Sequence, residues 1–166
     1  MNVMGSGAGG GFDKGARIAY LNSLIAGWSS HNRQLTDTNA KLKSENKEKK
    51  EKKEKYKTMI TQIKAATGKL SEAKSTASGA GTSYKAGYTS SGSIAKAASG
   101  NISAAVAGIG GLIGELNGVI PAAQEKMRKL QDDIDKNKKQ IDSNEKIIKD
   151  NSEKIANAQR EIQSLL

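Results

Sequence analysis

Residues 127–165 decide the fold of this chain, and they read MRKLQDDIDKNKKQIDSNEKIIKDNSEKIANAQREIQSL. Isoleucine recurs here at every seventh position, namely Ile134, Ile141, Ile148, Ile155 and Ile162. A companion set of positions, alternately three and four residues away, also repeats every seven residues. Two such sets are the a and d positions of a heptad repeat, which buries one stripe of a helix against another helix. The stretch therefore predicts a long helix that pairs along one seam.

The repeat continues towards the N-terminus over nine heptads and is matched by a second, less regular repeat in the first half of the chain. In the C-terminal arm, which we call the second arm, the a positions are Val106, Ile113, Ile120, Met127, Ile134, Ile141, Ile148, Ile155 and Ile162. Its d positions are Ile102, Ile109, Leu116, Ala123, Leu130, Asn137, Asn144, Asn151, Ala158 and Leu165. In the first arm the d positions are Leu21, Trp28, Leu35, Leu42, Lys49, Tyr56, Ile63, Leu70 and Ala77, and the a positions are Ile18, Ile25, Asn32, Asn39, Asn46, Lys53, Ile60 and Thr67.

Each arm has asparagine in three consecutive seam layers. A core-facing asparagine lowers stability, but it fixes the register where another asparagine hydrogen-bonds to it. Antiparallel alignment of the two blocks gives the register-setting pairs Asn32–Asn151, Asn39–Asn144 and Asn46–Asn137, and the residue numbers of each pair add up to 183. The same register makes the chain fold back between Ser91 and Gly92, inside a Gly/Ser/Thr-rich stretch that is typical of a turn.

These patterns predict an all-α fold, a long antiparallel helical hairpin of coiled-coil type that is bundled with a partner or a second copy. The alternative is a parallel or antiparallel homodimer of long helices, in which asparagine layers pair between chains. We expect a flexible Gly-rich leader over 1–14 and a single hairpin over 15–166. The hairpin divides into an arm at 16–76, a turn region at 77–100 and an arm at 101–166, with a kink near Pro121.

The composition argues against an enzyme. The 166 residues include no cysteine, one histidine, one proline and 4% aromatic residues. Without cysteine there is no disulfide framework and no thiolate for metal binding or nucleophilic attack. We predict no catalytic residues, no cofactor and no metal. The opening residues lack the basic and apolar regions of a signal peptide, so we expect a cytoplasmic protein before any export, with signal-peptide-independent secretion as the route out.

Lysine dominates residues 41–57, KLKSENKEKKEKKEKYK, where glutamates are interleaved at helical spacing. This pattern is typical of a solvated helix face. A nucleic-acid site is the weaker interpretation, because the glutamates would repel phosphate and no aromatic side chains alternate with the lysines. In the predicted register Lys49 and Lys53 face Ile134 and Leu130, where their ammonium groups would have to reach out of the seam.

The apolar segment ISAAVAGIGGLIGELNGVIP covers residues 102–121. Its glycines Gly110, Gly114 and Gly118 are spaced by four, and glycine lowers helix stability by about 1 kcal/mol relative to alanine. Close approach of another helix would compensate for that loss, so we predict a partner-docking surface made of these glycines with Ile102 and Ile109. A loosely helical segment near the turn and a membrane-inserting tip are the alternatives.

Three segments carry a resemblance to a known family: LNSLIAGWSSHNRQL (21–35), the lysine-rich KLKSENKEKKEKKEKYKTM (41–59) and IDSNEKIIKDNSEKIANAQREI (141–162). With these segments the chain resembles the small helical proteins encoded beside LXG toxins in type VII secretion loci, the YwqH-like group of the WXG superfamily. The resemblance implies a helical hairpin that binds the helical LXG-type domain of a toxin, or another small helical protein, and promotes export of the toxin. A homo-oligomer and membrane contact are further alternatives for this chain, and the resemblance assigns no individual residues.

Overall fold

The computed structural model describes residues 13–87 and 92–166 of the chain, and within them it contains two helices. Helix α1 spans Lys14–Gly87 and helix α2 spans Ser93–Leu165. The helices pack against each other as an all-α antiparallel hairpin, so the predicted fold class is confirmed. Residues 1–12 of the predicted leader at 1–14 lie outside the described residues. Lys14, which was predicted to belong to the leader, is the first residue of α1.

Both helices begin with a residue that satisfies free backbone N–H groups. The Asp13 carboxylate accepts a hydrogen bond from the Ala16 N–H (3.2 Å), and the Asp13 carbonyl accepts one from Arg17 (3.0 Å). An aspartate at this position is a favourable N-cap because the first turn of a helix has no internal partners for its donors. Gly92 precedes α2, and its carbonyl accepts from the Lys96 N–H (3.2 Å).

The predicted turn region at 77–100 is wrong in its limits, because α1 continues to Gly87 and α2 already begins at Ser93. The predicted fold-back point between Ser91 and Gly92 falls at the end of 88–91, which lie outside the described residues. Two contacts involve helical residues of the 77–100 stretch. The Thr82 hydroxyl donates to the Ser78 carbonyl (3.0 Å). Gly81 is packed so closely that an added Cβ would lie 3.0 Å from Ile102 Cγ2, so this glycine permits close packing of the helices rather than a turn.

The hairpin consists of two compact units, which we describe separately. In its described part, the first unit combines residues 13–46 with Lys136–Leu166, and the second unit is Lys47–Asp135. The first unit contains all six seam asparagines. The second contains the two seam lysines, the apolar segment and Pro121, through which α2 continues without interruption. A bend at Pro121 stays a prediction.

The predicted seam is the buried face of both helices. Every a and d position named from the sequence is buried or half-buried, whereas most other positions are exposed. The buried apolar side chains are Leu21, Ala123, Ile134, Ile141 and Ala158. Two helices cannot enclose their contact surface on all sides, and most seam residues therefore keep part of their surface in solvent. This leaves the two lateral edges of the seam as the surfaces that a further helix could cover.

Candidate protein-protein interface

The three predicted asparagine pairs are present in the first unit. In each pair the α2 asparagine donates from Nδ2 to the Oδ1 of the α1 asparagine, over 2.9 Å in Asn32–Asn151, 2.8 Å in Asn39–Asn144 and 3.0 Å in Asn46–Asn137. Three consecutive pairs with the same residue-number sum define both the antiparallel direction and the register. Whether these contacts set the register energetically stays a prediction, which the experiments below address.

The central pair is the most deeply buried of the three. Asn144 is 2% exposed and Asn39 is 5% exposed. The Asn144 Oδ1 also accepts from Gln140 Nε2 (2.8 Å), so both ends of its amide are bonded. A buried amide that loses its partner is strongly unfavourable. A shift of one helix by a full heptad would still pair some asparagines, but it would leave an asparagine at one end of the block opposite an apolar residue.

The seam lysines of the second unit reach sideways to polar groups, as the sequence analysis expected. Lys53 Nζ donates to Gln131 Oε1 (2.7 Å), and Lys49 Nζ lies 3.9 Å from an Asp133 carboxylate oxygen. Ile134, which the register places opposite Lys49, is only 1% exposed. The ammonium groups thus leave the seam by its two opposite edges, while the register keeps their stems over the apolar layers.

The predicted docking residues differ in their surroundings. Ile102 and Ile109 are half-buried at seam positions that face α1. Gly110 lies beneath Lys74, whose Nζ would be 3.0 Å from an added Cβ. An added Cβ at Gly114 or Gly118 would meet nothing within 4 Å. Ile102 and Ile109 thus belong to the seam and Gly110 lies under Lys74, whereas Gly114 and Gly118 are open. Docking of a partner by these five residues stays a prediction.

One lateral edge of the second unit is apolar on both helices, and the sequence analysis missed it. It consists of the g positions, which precede each a position by one residue. We call it the apolar edge: Met59, Ala66, Ala73 and Ala80 of α1 with Ala105, Leu112 and Val119 of α2. All of these side chains are exposed except the half-buried Met59. Leu112 is 51% exposed and Val119 is 43% exposed.

The opposite edge of the same unit is polar and basic. Its e positions, each following a d position, include Lys57, Lys64, Ser71, Ser78 and Lys85 on α1 and Ser103, Gly110, Asn117 and Gln124 on α2. An open groove on this edge is lined by Lys57, Lys64 and Gln124 around Ile60 and Met127. The two edges differ in chemistry, so a helix with an apolar face would bind to only one of them. The apolar edge could have been predicted from the sequence by applying the register to both arms together and comparing their g positions.

Ion pairs lie on the exposed surface of both units. In the first unit Arg17 Nε donates to Glu161 Oε1 (2.7 Å), and this hydrogen bond holds the pKa of Glu161 below its ordinary value and raises the pKa of Arg17. In the second unit the hydrogen bonds from Arg128 lower the pKa of Glu125. Both pairs are solvent-exposed, so they contribute little to stability.

The apolar segment has a further property that bears on membranes. By length and composition α2 contains a stretch long enough to cross a bilayer, with a mean hydropathy of 1.4 over 18 residues of which 0% are buried. A single helix of this kind is weak evidence for a membrane span, since helices of soluble proteins meet the same criterion. Within 13–87 and 92–166 there is no group of three or more His, Asp or Glu side chains placed to hold a metal ion.

Comparisons with protein-family models, with curated proteins and with solved structures find no match to this chain.

Proposed function

We propose that this chain is a non-enzymatic interaction protein whose apolar edge binds a helix of a second protein. The observation that supports the proposal is the uncovered apolar edge itself, with Leu112 and Val119 half in solvent beside α1 alanines. A contiguous exposed apolar surface bordered by polar residues is typical of a protein-binding site. The small side chains of Ala66 and Ala73 would let a third helix approach closely.

The partner that the sequence resemblance suggests is the helical N-terminal domain of a type VII-secreted toxin. In this proposal the chain acts as a chaperone or targeting partner, which covers an apolar face of the toxin before export. The segment of the toxin that binds would be a helix with apolar residues at i, i+3, i+4 and i+7, the pattern that fits a groove between two helices. The chain would bring binding surface and no chemistry of its own.

Co-expression with the LXG-type domain of a toxin encoded beside this chain's own gene tests the proposal. We expect a stable complex on size exclusion that Leu112→Glu disrupts. Asn117→Glu is the matched control, since it adds the same charge to an exposed position of the same helix but on the polar edge. No complex with the unsubstituted chain, or equal loss with both variants, would contradict the proposal.

A membrane-active hairpin is the second candidate, and the exposed apolar stretch of α2 favours it. The net charge of +10 would attract the chain to anionic lipid, and the apolar edge would enter the interface. Co-sedimentation with vesicles of phosphatidylglycerol and phosphatidylcholine separates the candidates. Binding that Leu112→Glu abolishes supports the membrane role, and absence of binding by the unsubstituted chain removes it.

A further inference from the structure

Two opposite charges border the apolar edge at the same level. Lys69 lies on the outer side of the edge on α1, and Glu115 lies on the outer side on α2, both at c positions. The register of the hairpin places Lys69 level with residue 114, one residue from Glu115. Both side chains are exposed, and neither forms an ion pair within residues 13–87 and 92–166. An unpaired cation and an unpaired anion thus stand on the two rims of one apolar surface.

The large and small side chains of the edge are also segregated between the helices. By the register Leu112 of α2 lies level with Ser71 of α1, two residues from Ala73, and Val119 lies level with Lys64, two residues from Ala66. Each such pair of edge residues therefore presents one bulky side chain and one methyl group. A partner that fits this surface must have a small side chain where α2 has a large one, and the reverse over α1.

A second copy of the chain has this complementary pattern. A two-fold axis parallel to the helices lays α1 of one copy over α2 of the other at the same level. Leu112 then meets Ala73 of the other copy and Lys69 meets Glu115, each twice, as a two-fold interface requires. A two-fold axis perpendicular to the helices would instead pair like helices, bringing Leu112 or Val119 against bulky side chains and Lys69 near Lys69.

We infer that two copies of this chain dimerise in parallel along the apolar edge, with reciprocal Lys69–Glu115 ion pairs on its rims. The interface cannot extend along the whole hairpin. Beyond the apolar edge, towards the first unit, the same arrangement would bring Lys55 near Lys129 of the other copy, and the repulsion between these like charges ends the interface. An interface this short and with few large side chains falls in the small, weak class. The dimer is therefore expected to dissociate at low micromolar dilution, leaving the edge open to another partner.

Charge reversal on the two rims tests the dimer without altering its apolar contacts. Sedimentation equilibrium of the full chain across a concentration series should give a reversible monomer–dimer equilibrium. Lys69→Glu or Glu115→Lys alone should raise the dissociation constant about tenfold, because two attractive pairs become repulsive. The double variant Lys69→Glu/Glu115→Lys should return it to the original value. Helix content by circular dichroism serves as the folding check, and Asn117→Glu on the polar edge should dimerise normally.

A chain that is monomeric at all concentrations overturns the inference, and so does a double variant no better than either single variant. Co-sedimentation of a purely monomeric chain with anionic vesicles would assign the edge to lipid. The inference uses the same apolar edge as the proposed function, but the outcomes are separable. The charge-reversal pair tests only contact between copies, whereas failure to bind the toxin domain with the dimer intact would contradict the proposed function alone.

Discussion

Removing one amide of the central asparagine pair should lower the free energy of unfolding of the first unit. In Asn144→Ala the Asn39 Oδ1 loses its 2.8 Å donor at a position only 5% exposed. Leaving a buried acceptor without a partner costs about 1–3 kcal/mol, and the higher helix propensity of alanine returns about 0.6 kcal/mol. We expect a net loss of about 1.4 kcal/mol in the free energy of unfolding.

Trp28 provides the assay, since it is the sole tryptophan and belongs to the first unit. Urea unfolding followed by its fluorescence reports on the unit that contains the pair. Asn157→Ala is the matched control: it makes the same substitution at an exposed position of the same helix, so its helix-propensity gain is equal. The free energy of unfolding of this control should equal that of the unsubstituted chain or exceed it by up to about 0.6 kcal/mol.

A double-mutant cycle isolates the contact between the two amides. Asn39→Ala combined with Asn144→Ala should cost less than the two single variants together, by about 1 kcal/mol, because each single variant already breaks the same hydrogen bond. Additive effects would show that the amides do not interact. If Asn144→Ala were no less stable than Asn157→Ala, the reasoning that the pair is buried and satisfied would be refuted.

Further predictions concern single features of the two units. Pro121→Ala should raise the thermal midpoint of the second unit, since it restores a missing backbone donor worth up to about 3 kcal/mol; an unchanged midpoint would contradict an unfavourable proline. Gly118→Ala should stabilise the free chain by about 0.5–1 kcal/mol in urea unfolding, because its Cβ position is open, and a loss of stability would show that the site is covered. Lys53→Leu should stabilise the second unit by about 1 kcal/mol in urea unfolding followed by circular dichroism, because leucine fills the seam; a loss of stability would contradict this. The Glu161 carboxylate should titrate below its ordinary pKa by NMR, and the stabilisation it gains from Arg17 should persist above the unfolded-state pKa and disappear as pH falls through the lower folded-state pKa; Arg17→Gln should return the titration to the ordinary range.

The sequence was sufficient to predict the seam, because a seven-residue period repeated over nine heptads admits one buried face per helix. It also predicted the partners of Asn39 and Asn46, since aligning two blocks of three polar layers leaves one register in which all pair. The limits of the turn were not predictable from composition. Gly81 and the neighbouring serines and threonines suggest a turn locally, but packing against Ile102 keeps the stretch helical.

The candidate interface was only partly predictable for a related reason. A glycine spacing such as that of Gly110 and Gly114 describes one helix in isolation, and the structure shows that the Lys74 side chain of the other helix occupies part of that surface. The apolar edge is shared between α1 and α2. It becomes visible only when side chains from both helices, such as Ala73 and Leu112, are placed side by side in the common register.

Site-directed crosslinking tests the central claim, the register of the intramolecular hairpin, most directly. The chain has no cysteine, so Asn39→Cys/Asn144→Cys introduces the only two thiols, and Asn39→Cys/Asn151→Cys is the matched pair displaced by one heptad. At high dilution, oxidation should link the first pair within one molecule, giving a monomer with altered mobility on a non-reducing gel, while the displaced pair stays unlinked. Intramolecular linkage of the displaced pair, or linkage of the first pair only between molecules, would contradict the account.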